Sequence, residues 1–209
     1  MNISYNSDKI VRNENKKESK NMEKYDILVV GGSTTGAWFA KQMAERGHKV
    51  LMIEKDEKKN ISRAYDIFHM SKKEMEEFGL TIPQPGDKDF GFTFDGSPVM
   101  SPFGNYAKSG APATVVGCHK HEYILRMHEE AKKAAAIIVC GAAFTDLIYD
   151  ENGKICGAKY KTAKAEKEVQ AALVADCSGI PAVVRRKLPD TASVENFRLT
   201  NRDVFYVVL

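Results

Sequence analysis

The 209-residue sequence has few cysteines, a single tryptophan and no long apolar run. Its four cysteines form no C-x-x-C pair, and their spacing suits neither a zinc site nor a small disulfide framework, so reduced thiols are expected. No stretch approaches the roughly 20 apolar residues that a membrane helix needs, and the N-terminus lacks the apolar segment of a secretory signal peptide. These absences favour a cytoplasmic protein without a membrane span.

An excess of charge of one sign is also lacking, because 31 Lys and Arg residues stand against 28 Asp and Glu residues. A nucleic-acid-binding surface would need a lopsided basic patch, so no nucleic-acid partner is expected. Residues 1–23 are mostly Asn, Lys, Ser and Glu and cannot bury enough apolar surface to offset the entropy of ordering. They are predicted to be a disordered tail; if translation starts at Met22, residues 1–21 are an upstream extension.

From residue 24 onward the pattern becomes that of an α/β domain. Residues 25–30 and 49–54 are apolar runs that predict buried strands, and residues 37–46 between them predict a helix. A strand, a helix and a second strand in this order are typical of a parallel sheet.

An insertion follows this first unit. Ser71 to Glu74 form a capping box that begins a short helix, and Gly79 can end it. Asp95-Gly96 lies between two strand-like runs, and this pair is a strong hairpin signal because it tolerates positive φ. The sequence therefore predicts an inserted β-hairpin region.

The second half of the chain predicts a helix and then an antiparallel meander. Residues 121–135 carry apolar side chains on one helical face, and strand-like runs follow within 144–176. The last of these runs re-enters the buried sheet. Pro181 is well placed to begin a further helix over 182–188.

The turn between the first strand and the first helix carries the main functional signal. A G-x-G-x-x-G loop needs one glycine for the tight turn, one for backbone approach to a pyrophosphate and one for helix packing. Ser33 replaces the middle glycine here, and Gly32 partly restores the flexibility. The first turn of the helix then presents free N–H groups to the phosphates. The predicted phosphate-binding residues are Gly31, Gly32, Ser33, Thr34, Thr35 and Gly36.

A carboxylate supports this interpretation of the loop. Glu54 ends the second predicted strand, 23 residues after Gly31. An acidic residue about 20 residues beyond such a loop accepts hydrogen bonds from a ribose. The sequence therefore predicts a dinucleotide site that includes Glu54 and its neighbour Lys55.

The segment from Tyr25 to Lys55 resembles the N-terminal FAD-binding segment of flavoprotein oxidoreductases. The order of the later elements is similar to the branch that contains geranylgeranyl reductase-like enzymes, electron-transfer-flavoprotein dehydrogenase-like proteins, aromatic hydroxylases and flavin-dependent halogenases. The resemblance covers roughly residues 24–190 and implies an α/β fold. This fold is a Rossmann-like FAD/NAD(P)-binding domain with a parallel sheet, an inserted β-hairpin region and an antiparallel β-meander.

The same resemblance implies further cofactor contacts. Asp176 to Gly179, with the sequence D-C-S-G, resembles the second flavin fingerprint of reductase-like and halogenase-like members and lacks the hydroxylase pattern. Arg63 matches an arginine near the flavin phosphates, and Phe144 matches a residue beside the adenine. Lys120 stands where family members have an arginine that contacts the cofactor, and it keeps the charge without the bidentate geometry.

The resemblance implies a FAD-dependent oxidoreductase of the geranylgeranyl reductase-like group, in which the flavin transfers hydride or electrons. It also implies a small-molecule substrate that is an isoprenoid or otherwise apolar, NAD(P)H as a candidate electron donor and an electron-transfer protein as a candidate partner. A flavin-dependent monooxygenase or halogenase and a catalytically inactive nucleotide-binding fragment stay open as alternatives. No catalytic residue is identified.

The resemblance also divides the chain. Residues 24–195 are expected to form the FAD-binding domain. The later Gly-Asp motif of these enzymes is absent after Arg185, so residues 196–209 are expected to be the first strand of a truncated substrate domain.

Overall fold

The computed structural model describes residues 22–62, 67–96, 98–100, 107–109 and 114–192. The expectations for residues 1–21, Arg63 and residues 196–209 lie outside this part of the chain. The strands are β1 (Glu23–Val30), β2 (Val50–Glu54), β3 (Ile67–Ser71), β4 (Phe90–Asp95), β5 (Pro98–Met100), β6 (Ala107–Ser109), β7 (Thr114–His119), β8 (Ile137–Cys140), β9 (Ala142–Tyr149), β10 (Ile155–Thr162) and β11 (Glu166–Asp176). The α-helices are α1 (Thr34–Glu45), α2 (Lys72–Glu77) and α3 (Lys120–Lys133), and 3₁₀ turns lie at Lys58–Asn60, Arg185–Lys187 and Asp190–Ala192.

The main sheet has the strand order β8-β2-β1-β11-β10-β9. The four neighbouring strands β8, β2, β1 and β11 are parallel. Strands β10 and β9 continue the sheet beside β11 with antiparallel pairing. This arrangement confirms the predicted α/β fold with a parallel sheet and a meander. Glu23, assigned to the tail from the sequence, is instead the first residue of β1, and its carboxylate accepts a hydrogen bond of 2.6 Å from Tyr25 Oη.

The two central strands β1 and β2 are covered on both faces. Ile27 and Val29 of β1 pack with the helices, and Leu28 and Val30 pack on the other face with residues of the meander. All five residues of β2 are buried. Continuous apolar runs are typical of such doubly covered parallel strands, which is why both strands could be predicted from the sequence.

Helix α1 lies close to the sheet because its buried face consists of small residues. These are Gly36, Ala37, Ala40 and Ala44. Gly47, the residue after the C-cap, has φ of +86°. Positive φ at the residue after a helix is the usual reason for glycine there. None of the helices in the described part of the chain has the length and hydrophobicity needed to cross a bilayer.

The insertion forms a three-stranded antiparallel sheet, β3-β7-β4, and a separate pair, β5-β6. The inserted hairpin region is therefore present, but the expected pairing across Asp95-Gly96 is wrong, since β4 pairs with β7 and β5 pairs with β6. Turn residues act locally, whereas the choice of partner depends on burial. Strand β7 offers β4 a partly buried neighbour, in which Val116 and Cys118 are inaccessible to solvent.

The predicted helix over 182–188 is also wrong, because only Arg185–Lys187 forms a 3₁₀ turn. Ala182 has φ of +45°, which interrupts a right-handed helix. The backbone N–H groups of Val184 and Arg185 donate to Asp176 Oδ2 over 3.1 and 2.9 Å. This carboxylate therefore accepts the backbone N–H groups that carbonyl oxygens would accept in a helix.

A bidentate ion pair attaches the insertion to α3. Arg126 Nε and Nη2 donate to the two oxygens of Asp89 over 2.6 and 2.5 Å, and Nη2 also lies 3.0 Å from Asp87 Oδ2. Asp89 is buried, and its backbone carbonyl accepts a hydrogen bond from His119 N–H. Charge-assisted bidentate pairs with a buried partner are among the stronger polar contacts in proteins.

We expect Asp89→Asn to lower the free energy of unfolding by about 2 kcal/mol, because it removes the charge and turns an amide N–H toward the Arg126 donors. The exposed pair between Lys58 and Glu129, with side chains 55% and 49% accessible, is the control. Lys58→Met should cost less than about 0.5 kcal/mol. Urea denaturation measures both changes, and equal losses would contradict this account of the attachment.

Candidate functional site

An open cleft of about 380 Å³ lies where β1, β2 and β11 end. The carboxyl ends of neighbouring parallel strands meet at one edge of a sheet, and this edge is where open α/β sheets bind ligands. The beginning of β9 and the segment after β11 complete the walls. The lining residues are Val30, Gly31, Ser33, Ile53, Glu54, Lys55, Asp56, Ile61, Ser62, Ala142, Ala143, Phe144, Cys177, Ser178, Pro181 and Val183.

Two glycines allow the backbone segments around this cleft to approach one another. Gly31 has φ of +107°, and a Cβ there would collide with the carbonyl oxygen of Cys177. A Cβ at Gly36 would collide with the carbonyl oxygen of Gly31. The turn after β1, the first turn of α1 and the end of β11 can therefore meet only with glycine at both positions.

The N-terminus of α1 is available to an anion. Ser33 occupies the N-cap position and lines the cleft, yet within the described residues its side chain makes no capping hydrogen bond, and the first turn contains no acidic residue. The first N–H groups of a helix have no partner within the helix and lie at the positive end of its dipole. Such an end fits a pyrophosphate.

Glu54 brings a carboxylate to the same cleft. Its Oε2 accepts a hydrogen bond of 2.7 Å from Gly32 N–H, and its Oε1 accepts one of 2.9 Å from Asp56 N–H. A carboxylate has about four acceptor positions, so two bonds leave capacity for the hydroxyl groups of a ribose. The backbone bonds hold the side chain in place before any ligand arrives.

A buried histidine reaches the loop from α3. His128 is 1% exposed, and its Nε2 lies 2.5 Å from the carbonyl oxygen of Gly32. Burial lowers the pKa of His128 and outweighs the opposing effects of the Gly32 carbonyl, Glu54 and Glu129, while Lys132 lowers the pKa further. The ring is therefore neutral at pH 7, and Nε2 carries the proton because a carbonyl oxygen can only accept.

Asp176 organises the segment after β11. Its carboxylate accepts backbone hydrogen bonds from Ser178, Val184 and Arg185 over 3.1, 3.1 and 2.9 Å. These bonds fix the path of the chain that brings Pro181 to the wall of the cleft. The carboxylate thus faces its own backbone and is not among the lining groups.

The structure brings part of the predicted site together. Five of the predicted residues line one cleft, and two further glycines of the loop contact residues that line it. The lining residues are Gly31, Ser33, Glu54, Lys55 and Phe144. Gly32 N–H donates to Glu54, and Gly36 lies against the carbonyl oxygen of Gly31.

The other predicted residues lie elsewhere. Thr34 and Thr35 line a neighbouring apolar pocket rather than the cleft. Lys120 begins α3, with its Nζ 5.3 Å from the centre of the Phe68 ring. Gly179 lies in the turn after β11 with φ of +74°.

Sequence analysis missed several residues at the site. Ala142 and Ala143 lie beside Phe144 in the wall, and only their small size next to the predicted contact could have indicated them. His128 had a clearer signal, because it lies four residues after Ile124 on the apolar face of the predicted helix. A polar side chain on a buried face needs a hydrogen-bond partner.

Residues 24–207 match the family model described as FAD binding domain. The chain belongs to this family. The family resemblance noted from the sequence is thereby confirmed, and the glycine-lined turn, the open end of α1 and the Glu54 carboxylate all suit the diphosphate and ribose of FAD. The domain is that of flavoprotein oxidoreductases.

Several known proteins are similar to this FAD-binding domain. Protein FixC of Bradyrhizobium diazoefficiens is 23% identical over 193 residues, which cover 88% of this chain and 44% of FixC. A geranylgeranyl bacteriochlorophyll reductase-like structure from Thermoplasma acidophilum is 26% identical with a TM-score of 0.71, covering 87% of this chain and 45% of that one. A flavin-dependent brominase, 20% identical with a TM-score of 0.64 over 78% of this chain and 40% of its own, shares the fold. The chain spans less than half the length of each.

We expect Gly31→Ala to abolish FAD binding, since it combines positive φ with a collision against Cys177. Gly47→Ala is the matched control, because Gly47 also has positive φ but has no atom within 4 Å of an added Cβ. It should cost roughly 1 kcal/mol of stability and leave FAD affinity unchanged. Fluorescence titration with FAD measures both variants, and a Gly31→Ala protein that binds normally would contradict the close approach.

Proposed function

We propose that this domain is the FAD-binding part of a FAD-dependent oxidoreductase of the geranylgeranyl reductase-like group. The observation that carries the proposal is the uncapped N-terminus of α1, which Gly31 and Gly36 allow to lie against the ends of β1 and β11. The 26% identity to the geranylgeranyl bacteriochlorophyll reductase-like structure supports the choice of group. The activity is proposed for the whole flavoprotein that contains this domain.

Different residues of the chain would bind the different parts of FAD. The N–H groups at Ser33 and the first turn of α1 would bind the diphosphate, Glu54 would accept the ribose hydroxyls, and Phe144 would contact the adenine. Asp176 and Gly179 would shape the segment that closes the site, and Lys55, which lines the cleft, would bring a positive charge to the anionic cofactor. The family resemblance adds Arg63, which lies outside the described residues. When bound, FAD supplies the redox chemistry by accepting and passing on hydride or electrons.

The substrate is proposed to be apolar, with NAD(P)H as the source of reducing equivalents. An apolar pocket of about 470 Å³ is lined in part by Thr34 and Thr35, the first two residues of α1. Its walls can accept a hydrocarbon chain, and the similar Thermoplasma acidophilum protein is geranylgeranyl bacteriochlorophyll reductase-like. The remaining lining residues are Trp38, Phe68, Met70, Phe78, Leu80, Tyr123 and Met127.

Purified chain mixed with FAD should retain about one flavin per chain through gel filtration. Glu54→Gln should raise the Kd for FAD about tenfold, since it removes the charge and leaves one acceptor oxygen where there were two. Glu45→Gln makes the same change of charge at the exposed far end of α1 and should leave the Kd unchanged. A colourless wild-type protein would overturn the proposed function. In the whole flavoprotein, flavin that dithionite bleaches and NADPH does not would exclude NAD(P)H as the donor.

Trp38 provides a direct readout of the apolar pocket, because it is the only tryptophan in the chain. Geraniol, a short soluble isoprenoid, should shift the emission of Trp38 to shorter wavelength in a saturable way. Met70→Glu should remove the shift by placing a charge in the wall, whereas glycerol should have no effect on either protein. An emission spectrum that geraniol leaves unchanged, or changes equally in both proteins, would rule out this pocket as the isoprenoid site.

A further inference from the structure

A buried side chain of α3 holds the loop between β1 and α1 by a hydrogen bond. His128 lies on α3 between Met127 and Ala131, all on the buried face of the helix. Its Nε2–H donates to the carbonyl oxygen of Gly32, and this bond joins residues 96 positions apart in the chain. Helix α3 thereby holds one particular peptide group of the turn after β1.

The direction of that carbonyl fixes the direction of the next N–H group. The peptide between Gly32 and Ser33 is trans, so its C=O and N–H point in opposite directions. Because the carbonyl points inward to His128, the N–H of Ser33 points away from α3. Ser33 lines the cleft, and an N–H that points away from α3 can therefore face a diphosphate bound there.

A second buried side chain holds the preceding peptide. Glu54 Oε2 accepts the N–H of Gly32 over 2.7 Å, and a Cβ on Gly32 would come within 2.8 Å of the Glu54 Cβ. Successive peptides of the loop are thus held by β2 and by α3. Glu54 also reaches the cleft, whereas His128 is not among its lining residues.

We propose that His128 is a positioning residue of the cofactor loop, which acts through the Gly32 carbonyl to present the Ser33 N–H to the diphosphate of FAD. The inference rests on the proposed function, since it concerns the same site. His128 itself contacts neither FAD nor substrate. Its role is to fix the donor geometry before binding, so that the ligand does not have to order the loop.

Two replacements of His128 test the role of the donor. Gln keeps an N–H donor at a similar reach, whereas Met has a similar length and shape without a donor. His128→Met should raise the Kd for FAD and for ADP about tenfold or more, and His128→Gln should stay within roughly threefold of the wild type. Adenosine lacks the diphosphate, so its affinity should be equal in all three proteins. This contrast separates positioning from a general loss of structure.

Thr81→Val is the matched control, because it removes a different side-chain hydrogen bond to α3 from a residue outside that helix. It removes the hydroxyl that donates to Glu130 Oε1 over 2.6 Å, two residues from His128 along α3 and outside the cleft. This variant should lower the melting temperature and leave the affinity for FAD and ADP unchanged. Amide exchange at Ser33 should be faster in His128→Met than in either Thr81→Val or His128→Gln.

The outcomes distinguish the two proposals. A wild type that binds no FAD overturns the proposed function and this inference with it. If the wild type binds FAD and the His128→Met protein binds both FAD and ADP as tightly as the wild type does, the inference alone is overturned. Should His128→Met not fold, the imidazole nitrogen resonances of the wild type decide, because a neutral ring protonated at Nδ1 instead of Nε2 could not donate to Gly32.

Discussion

The close approach of three backbone segments at the end of β1 is the constraint on which the rest of the site depends. Gly36 packs against the carbonyl of Gly31, and Gly31 packs against the carbonyl of Cys177. Because neither position has room for a Cβ, the turn, the helix and the end of β11 converge at one edge of the sheet. The open N-terminus of α1 and the cleft beside it follow from this convergence.

The central sheet could be predicted because its signals are local. Strands β1 and β2 are continuous apolar runs, and the loop and Glu54 lie within one strand–helix–strand unit, so short spacing alone brings them together. The pairing of β4 could not be predicted in this way, because β4 pairs with the more distant strand β7 and not across the turn at Asp95-Gly96. The helix expected after Pro181 failed for a similar reason, since the Asp176 carboxylate took the backbone N–H groups.

The contact between His128 and the loop could be predicted only in part from the sequence. The sequence places His128 on an apolar helical face, and this position alone implies that the imidazole must find a partner. It does not say which partner, because Gly32 is 96 residues away and comes into reach only when α3 packs beside α1. Lys120 illustrates the opposite case. Its position in the sequence matches a cofactor-binding arginine of the family, but its side chain lies over the ring of Phe68.

The electrostatics of the cleft explain why the loop needs support from the inside. Glu54 is negative and so is a diphosphate, so the two must occupy different parts of one small site. The N–H groups of Gly32 and Asp56 hold the carboxylate on the β2 side, and the positive end of α1 attracts phosphate on the other side. A loop free to turn its peptides could bring carbonyl oxygens to the phosphate. In our proposal the buried partners of Gly32 prevent this, so that the cleft suits a ligand with hydroxyl groups at one end and an anion at the other.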